Sequence, residues 1–305
     1  MIATLALACL AAAPPMRHLH PIELPAADTI SVTRMALSHD GRGLATAGRG
    51  VHVWSLTAIG PPKALSEGEW AFVQFAPDGR LFAMGHSEAA VWSPGGKLLR
   101  RFEASSEHGS SPGSFGLIDG GKALVRNWPT ILFDSRTGTR LASHRRRVAR
   151  VEVFGPSRLM ASLEHQDVDL LDLRTGKLRR TLADHPGEVT AAAIRHDEKE
   201  VVTVCVARAG RVLRSEARLW DVATGKELAR YPLGHGEVKD IALSDDGSML
   251  AVTSSAGLVV LGRDGGEMAR VESQYHSCAH PVFAPGGGLL AAALDFRPRV
   301  WVIRR

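Results

Sequence analysis

A chain of 305 residues that is 45% hydrophobic and 23% charged can bury a large core, which excludes a disordered or collagen-like polymer and a protein with many membrane spans. Its 37 basic and 32 acidic side chains leave a net charge of +5, too small to turn the whole surface into a nucleic-acid platform, so any anion binding is local. Only Cys9, Cys205 and Cys278 are present, which excludes a disulfide-stapled scaffold, and no Cys-x-x-Cys spacing offers a zinc or redox site.

Met1 to Pro15, MIATLALACLAAAPP, is an uncharged apolar run of signal-peptide length, shorter than the roughly 20 residues of a membrane-spanning helix. Residues 1–17 therefore read as an export leader, which would place the protein in the periplasm or outside the cell. No Lys or Arg precedes the run and Pro14 follows its alanine exit, so a cytoplasmic chain with an apolar tail stays open as the alternative. Ala6-Leu7-Ala8-Cys9 is also faintly similar to a lipoprotein box, although the apolar stretch before Cys9 is short.

Residues 18–305 form one domain of internal repeats. Seven segments share one grammar: an alternating strand, a tight turn, a small-residue strand, then an apolar strand often ending in Trp. The turns are Asp40-Gly41, Asp78-Gly79, Asp119-Gly120, Pro156-Ser157, Asp197-Glu198, Asp246-Gly247 and Gly286-Gly287, mostly residues that tolerate hairpin backbone angles. Trp54, Trp92, Phe133, Leu171, Trp220, Leu261 and Trp301 occupy equivalent places in the third strand. From Trp54 to Trp301 is 247 residues over six intervals, about 41 per repeat, within the ~40–45 of β-propeller blades. First strands such as Val32 to Ser38 and Val238 to Ser244 suit strands in length and composition, and no segment of the repeats sustains a 3.6-residue apolar period. Leu178 to Leu182 and Glu227 to Tyr231 supply a fourth strand, so the expected fold is all-β, a seven-bladed propeller of four-stranded antiparallel blades. The last repeat stops after its third strand, at Val300 to Ile303. His20 to Leu24 is predicted to add the missing outer strand and close the ring.

At this point the chain resembles the WD-repeat β-propeller family. Trp220-Asp221 matches the terminal WD dipeptide, Gly234-His235 the GH dipeptide, and Ser244-Asp245-Asp246-Gly247 the inter-strand turn; Asp184-His185 and the Thr-Gly-Lys turns at 175–177 and 224–226 add to it. The resemblance implies, within a blade, a hydrogen-bonded set of His, a second-strand Ser or Thr, a turn Asp and the third-strand Trp. That set is degenerate here: the turn Asp survives only as Asp295, so packing of Trp54, Trp92, Trp220 and Trp301 is expected to carry most of the stability, with His185 and His235 in structural roles.

Recognised chemistry is sparse. His276-x-Cys278-x-His280 is the one compact set of metal-ligand types, but alternate residues of a strand stand ~6.6 Å apart, too far to share bonds of ~2 Å to one zinc. Cys205 and Cys278 fall in different repeats, so free thiols are expected. No nucleophile elbow, HExxH, Walker loop or dinucleotide fingerprint is present, and no cofactor, metal or catalytic residue is assigned. The fifth repeat is longer, 49 residues from Leu171 to Trp220, and its extra sequence reads as a loop carrying Arg208, Arg211, Arg214 and Arg218. Arg145, Arg146 and Arg147 enter the fourth repeat on the same expected face, so the two clusters could form one basic rim for an acidic surface or polymer; equally, they could be ordinary solvated arginines. Few aromatic residues flank them, which argues against single-stranded nucleic acid.

The expectation is a non-catalytic interaction scaffold that binds a protein partner through its loop faces, as the resemblance implies. Two alternatives remain: a propeller enzyme or small-ligand binder using the axial channel, and a binder of an acidic polymer through the arginine rim.

Overall fold

A computed structural model describes residues 19–25, 32–103, 115–118, 121–126, 130–144, 151–154, 159–173, 175, 177–209, 212–235 and 238–304. The fold is an all-β propeller, with no α-helix among the described residues. Five antiparallel sheets have four strands each. They comprise β8 (Phe115–Ile118) to β11 (Arg140–His144) through β9 (Ala123–Arg126) and β10 (Thr130–Asp134); and β12 (Val151–Phe154), β13 (Leu159–Glu164), β14 (Asp167–Asp172) and β15 (Leu178–Leu182). The third holds β16 (Glu188–Ile194), β17 (Glu200–Ala209), β18 (Val212–Asp221) and β19 (Glu227–His235), and the fourth β20 (Val238–Leu243), β21 (Met249–Ser254), β22 (Gly257–Gly262) and β23 (Glu267–Glu272). The fifth joins β24 (Cys278–Phe283), β25 (Leu289–Leu294) and β26 (Arg297–Ile303) to the N-terminal strand β1 (Leu19–Ile22).

The remaining sheet differs from the expected four strands. It has six: β2 (Val32–Leu37), β3 (Gly43–Ser55), β4 (Lys63–Phe75), β5 (Leu81–Gly85), β6 (Glu88–Trp92) and β7 (Leu98–Glu103). Two long runs cause this. β3 pairs with β2 through Leu44 to Gly48 and with β4 through Arg49 to Val53, and the Leu56 N–H donates to the Arg42 carbonyl at 2.8 Å, so β3 folds back on itself. Gly48 and Gly50, both at positive φ, make that bend. β4 continues without a break from its β3 pairing into its β5 pairing, where Trp70 to Phe75 face Gly85 to Leu81.

The expected closure is present. β1 runs antiparallel to β26 with Leu19 opposite Ile303 and Ile22 opposite Val300, and Leu19 is buried in the core beside Trp301. The edge that β26 would otherwise expose is thereby paired.

The first strand of each repeat is innermost. β2, β4, β8, β12, β16, β20 and β24 each touch the next, and β24 returns to β2, so these strands ring a central channel. The apolar core lies between neighbouring sheets. Met249, Leu258 and Val260 pack on Cys278, Leu290 and Trp301, while Met35, Leu44 and Trp54 pack on Ala291 and Val300 across the closure. The tight turns leaving the inner strands share one geometry. The amides of Gly41, Gly79, Gly247 and Gly287 each donate back three residues at 2.8–3.0 Å, and Glu198 does the same at φ 56°, a left-handed backbone that glycine adopts more cheaply. Asp119-Gly120 and Pro156-Ser157 lie outside the described residues.

Candidate functional site

The tryptophan positions split into two kinds. In the β16–β19 sheet, Trp220 Nε1 donates to Thr203 Oγ1 at 2.9 Å, and Thr203 Oγ1 lies 2.9 Å from His185 Nε2, whose Nδ1 is 2.8 Å from the Gln166 carbonyl. His185 is buried, and burial lowers its pKa, which keeps the ring neutral in this chain. Three of the four members of the set implied by the family resemblance are thus assembled, with Thr203 supplying the second-strand hydroxyl. His235 ends β19 opposite Arg214. Trp54 and Trp92 are buried in the six-stranded sheet; Trp92 meets Trp70 edge-on at 5.9 Å, whereas Trp54 Nε1 is buried without a partner among the described residues.

Asp295 does a different job. Its Oδ1 accepts from Ser273 Oγ at 2.7 Å and from the Tyr275 amide at 3.0 Å, and Oδ2 from the Gln274 amide at 3.3 Å. Desolvation pushes its carboxyl up, but these donors and nearby Arg299 outweigh it and hold the pKa below the usual carboxylate range. Asp295 therefore ties the 273–277 connection to the β25–β26 turn. Tyr275 and Phe296, on the two segments so joined, are 69% and 67% exposed. His276, His280, Asp295 and Phe296 all have positive φ, so four of the seven non-glycine residues with that backbone among the described residues belong to this one repeat.

In an antiparallel four-stranded meander, the connection entering the first strand and the turn joining the second and third emerge on the same face. Tyr275 and Phe296 therefore share a face with the mouth of the channel. The wider part of the channel is a cavity of about 800 Å³ at that mouth, continuous with one of about 570 Å³ towards the opposite face, where His39, His196 and Asp245 lie. Arg34, Asp240 and His280 stand at the third position of three successive inner strands, VTRMALS, VKDIALS and CAHPVFA. Arg34 Nη1 contacts His280 Nδ1, and the same nitrogen lies 3.2 Å from Asp240 Oδ2. That nitrogen can serve only one of them at a time, as acceptor for Arg34 or as donor to Asp240. Desolvation lowers the His280 pKa against the pull of Asp240. Desolvation alone would raise Asp240, but the His280 hydrogen bond and the Arg34 charge more than offset it and keep the carboxyl low. Lys239 Nζ reaches the His276 carbonyl at 3.4 Å.

The three metal-type residues near 278 diverge. His276 is exposed, Cys278 is fully buried with its thiol pushed up to about 12 by desolvation, and His280 faces the channel. No group of three possible metal ligands occurs among the described residues. Cys205 and Cys278 are both free and buried, and desolvation raises Cys205 to about 11, which makes each a poor nucleophile.

The basic rim is only partly in view. Arg145, Arg146, Arg147 and Arg211 lie outside the described residues, as does the leader over residues 1–17. Arg208 and Arg214 are exposed near the end of the β17–β18 hairpin. The extra length of this repeat forms two ten-residue strands rather than a loop, because Glu200 to Ala209 pairs with Asp221 to Val212 without a bulge. Arg218 departs from the expected rim: it is buried, donates to Glu216 Oε1 at 2.6 Å and to the Asp184 carbonyl at 2.8 Å, and belongs to the sheet.

No protein-family model matches the chain, and no curated protein matches it. Among solved structures it is similar to a Kuenenia stuttgartiensis hydrazine synthase chain, with a TM-score of 0.71 and 15% identity over 90% of this chain and 96% of that one. At that identity the likeness is one of fold. No helix among the described residues is long and apolar enough to cross a membrane.

Proposed function

We propose that the protein is a non-catalytic interaction scaffold of the WD-repeat kind, docking a protein partner on the face that carries Tyr275 and Phe296. The observation that carries this reading is the Asp295 clamp. It fixes two exposed aromatic residues on short, hydrogen-bonded segments, and rigid aromatic anchors gain contact area on binding while losing little conformational freedom. The seven-fold repeat supports a seven-bladed ring, with the six-stranded sheet counted as two blades: β3 folds back at Gly48 to Gly50, and β4 serves as the outer strand of one blade and the inner strand of the next. The His185–Thr203–Trp220 relay supports the WD kinship. Export through residues 1–17 is part of the proposal, supported by the uncharged apolar run; an intact Met1 in protein isolated from its natural source contradicts it.

The test is affinity capture on folded bait, wild type against Tyr275→Ser/Phe296→Ser. Stoichiometric retention of one protein by wild type and its loss from the variant is the expected result. Equal retention by both, or none by either, contradicts the reading. Arg208 and Arg214, exposed on the same face, favour a second reading in which the ligand is an acidic polymer. That reading predicts capture that falls steeply with salt and with Arg208→Glu/Arg214→Glu, while the aromatic variant retains it.

A further inference from the structure

We propose that the wide half of the axial channel binds a small organic carboxylate with an apolar body, the carboxylate seated on Arg34. This goes beyond the scaffold reading and stands or falls separately from it. The cavity of about 800 Å³ has the size of a small-molecule pocket. Lys239 stands at the mouth, and Arg34, which lines both cavities, stands with Phe72, Ile194, Leu243 and Phe283 at the waist. An apolar body with one polar end matches a cation set beside an apolar wall.

The sign of the polar end follows from how the charges at the mouth are already used. Asp240 accepts from the Ile241 amide at 2.9 Å, lies against His280, and is near the Arg34 charge. Glu69 lies 3.9 Å from Arg49. Among the described residues the hydrogen bonds of the two cations go to neutral groups, Arg34 to the Thr33 carbonyl at 3.3 Å and the His280 ring, and Lys239 to the His276 carbonyl. His280 is held neutral by burial, so it does not repel an anion beside Arg34. At the waist, Gln74 Oε1 accepts from the Leu117 amide at 3.0 Å, which leaves its amide N–H groups as further donors to the channel. Arg34 and Lys239 against Asp240 leave one positive charge in excess at the mouth, since Glu69 lies against Arg49, and an anion gains charge-assisted hydrogen bonds where an amine meets Arg34 and Lys239 as like charges. A single carboxylate suits the site better than a polyphosphate, because Asp240 stands on the strand next to Arg34's contact, His280, and opposes higher negative charge.

The experiment is calorimetric titration of the full chain with hexanoate, hexan-1-ol and hexylamine. Hexanoate is expected to bind at least about tenfold more tightly than either neutral or cationic analogue. Arg34→Met should reduce hexanoate affinity by about tenfold and leave hexan-1-ol affinity unchanged. Equal or weaker binding of hexanoate than of hexan-1-ol, or an Arg34→Met affinity equal to wild type, overturns the proposal. Should Arg34→Met fail to fold, Lys239→Met carries the same test, since among the described residues its ammonium hydrogen-bonds only the His276 carbonyl; a loss of a few-fold for hexanoate alone is expected, and an unchanged affinity overturns the proposal.

Discussion

The β16–β19 sheet and the sheet closed by β1 descend from the same repeat but spend their polar residues differently. In the first, His185, Thr203 and Trp220 bond to one another inside the sheet, and Arg195, Glu200 and Arg263 clamp it to its neighbour, with Arg195 and Arg263 both within 2.8 Å of the Glu200 carboxylate. In the second, the second-strand hydroxyl has given way to the apolar run Leu289 to Leu294, and the surviving turn aspartate faces outward to organise a connection at the channel mouth. One sheet uses its polar groups to hold itself together. The other relies on packing and on a borrowed strand, and uses its polar residues to shape a surface.

The largest expected effect is in the bonded sheet. Trp220→Ala removes a buried indole and leaves Thr203 Oγ1 short of a donor, for an expected loss of about 3–5 kcal/mol in chemical denaturation. In the borrowed-strand sheet, deleting residues 18–25 uncovers β26 and removes buried Leu19, for an expected loss of about 2–3 kcal/mol, read as a fall of several degrees in melting temperature; an unchanged melt contradicts the β1–β26 pairing. The comparison sharpens with Trp→Phe at both sites. Trp220→Phe loses a buried hydrogen bond and should cost about 1–2 kcal/mol more than Trp301→Phe, whose indole N–H has no hydrogen bond to lose among the described residues. Equal costs would mean that the relay adds nothing to packing.

Titration probes the relay of the bonded sheet further. His185 has a folded pKa below the unfolded value of about 6.5, so the unfolded chain binds the proton first and stability falls as pH drops below about 6.5. His185→Gln should therefore show a smaller fall in melting temperature than wild type between about pH 7.5 and 5.5. The smallest effect expected is at Phe296, where φ is 64°. Phe296→Gly relieves the left-handed backbone and should raise stability by up to about 1 kcal/mol while removing an exposed anchor.

The all-β propeller and the pairing of β1 with β26 were legible because the repeat writes its turns and its third-strand positions in phase. The merging of six strands into one sheet was not, since a bend at Gly48 to Gly50 inside extended chain looks like any other turn. The channel site was legible only down the repeats rather than along them. Arg34, Asp240 and His280 are far apart in sequence and isolated within alternating strands, but they fall at one register position when the inner strands are aligned. Tyr275 and Phe296 carry no pattern at all, because what singles them out is the set of contacts made by Asp295. Arg218 was misread for the converse reason: its charge suggested a rim, but the unbroken β17–β18 ladder places it inside the sheet, where Glu216 pairs with it.

The most direct test of the scaffold account is hydrogen exchange of the full chain with and without its captured partner. The account predicts that the partner adds protection at residues 273–277 and 295–296. Protection confined to the opposite-face turns at 40–41, 78–79, 197–198, 246–247 and 286–287, or no added protection anywhere, would contradict it.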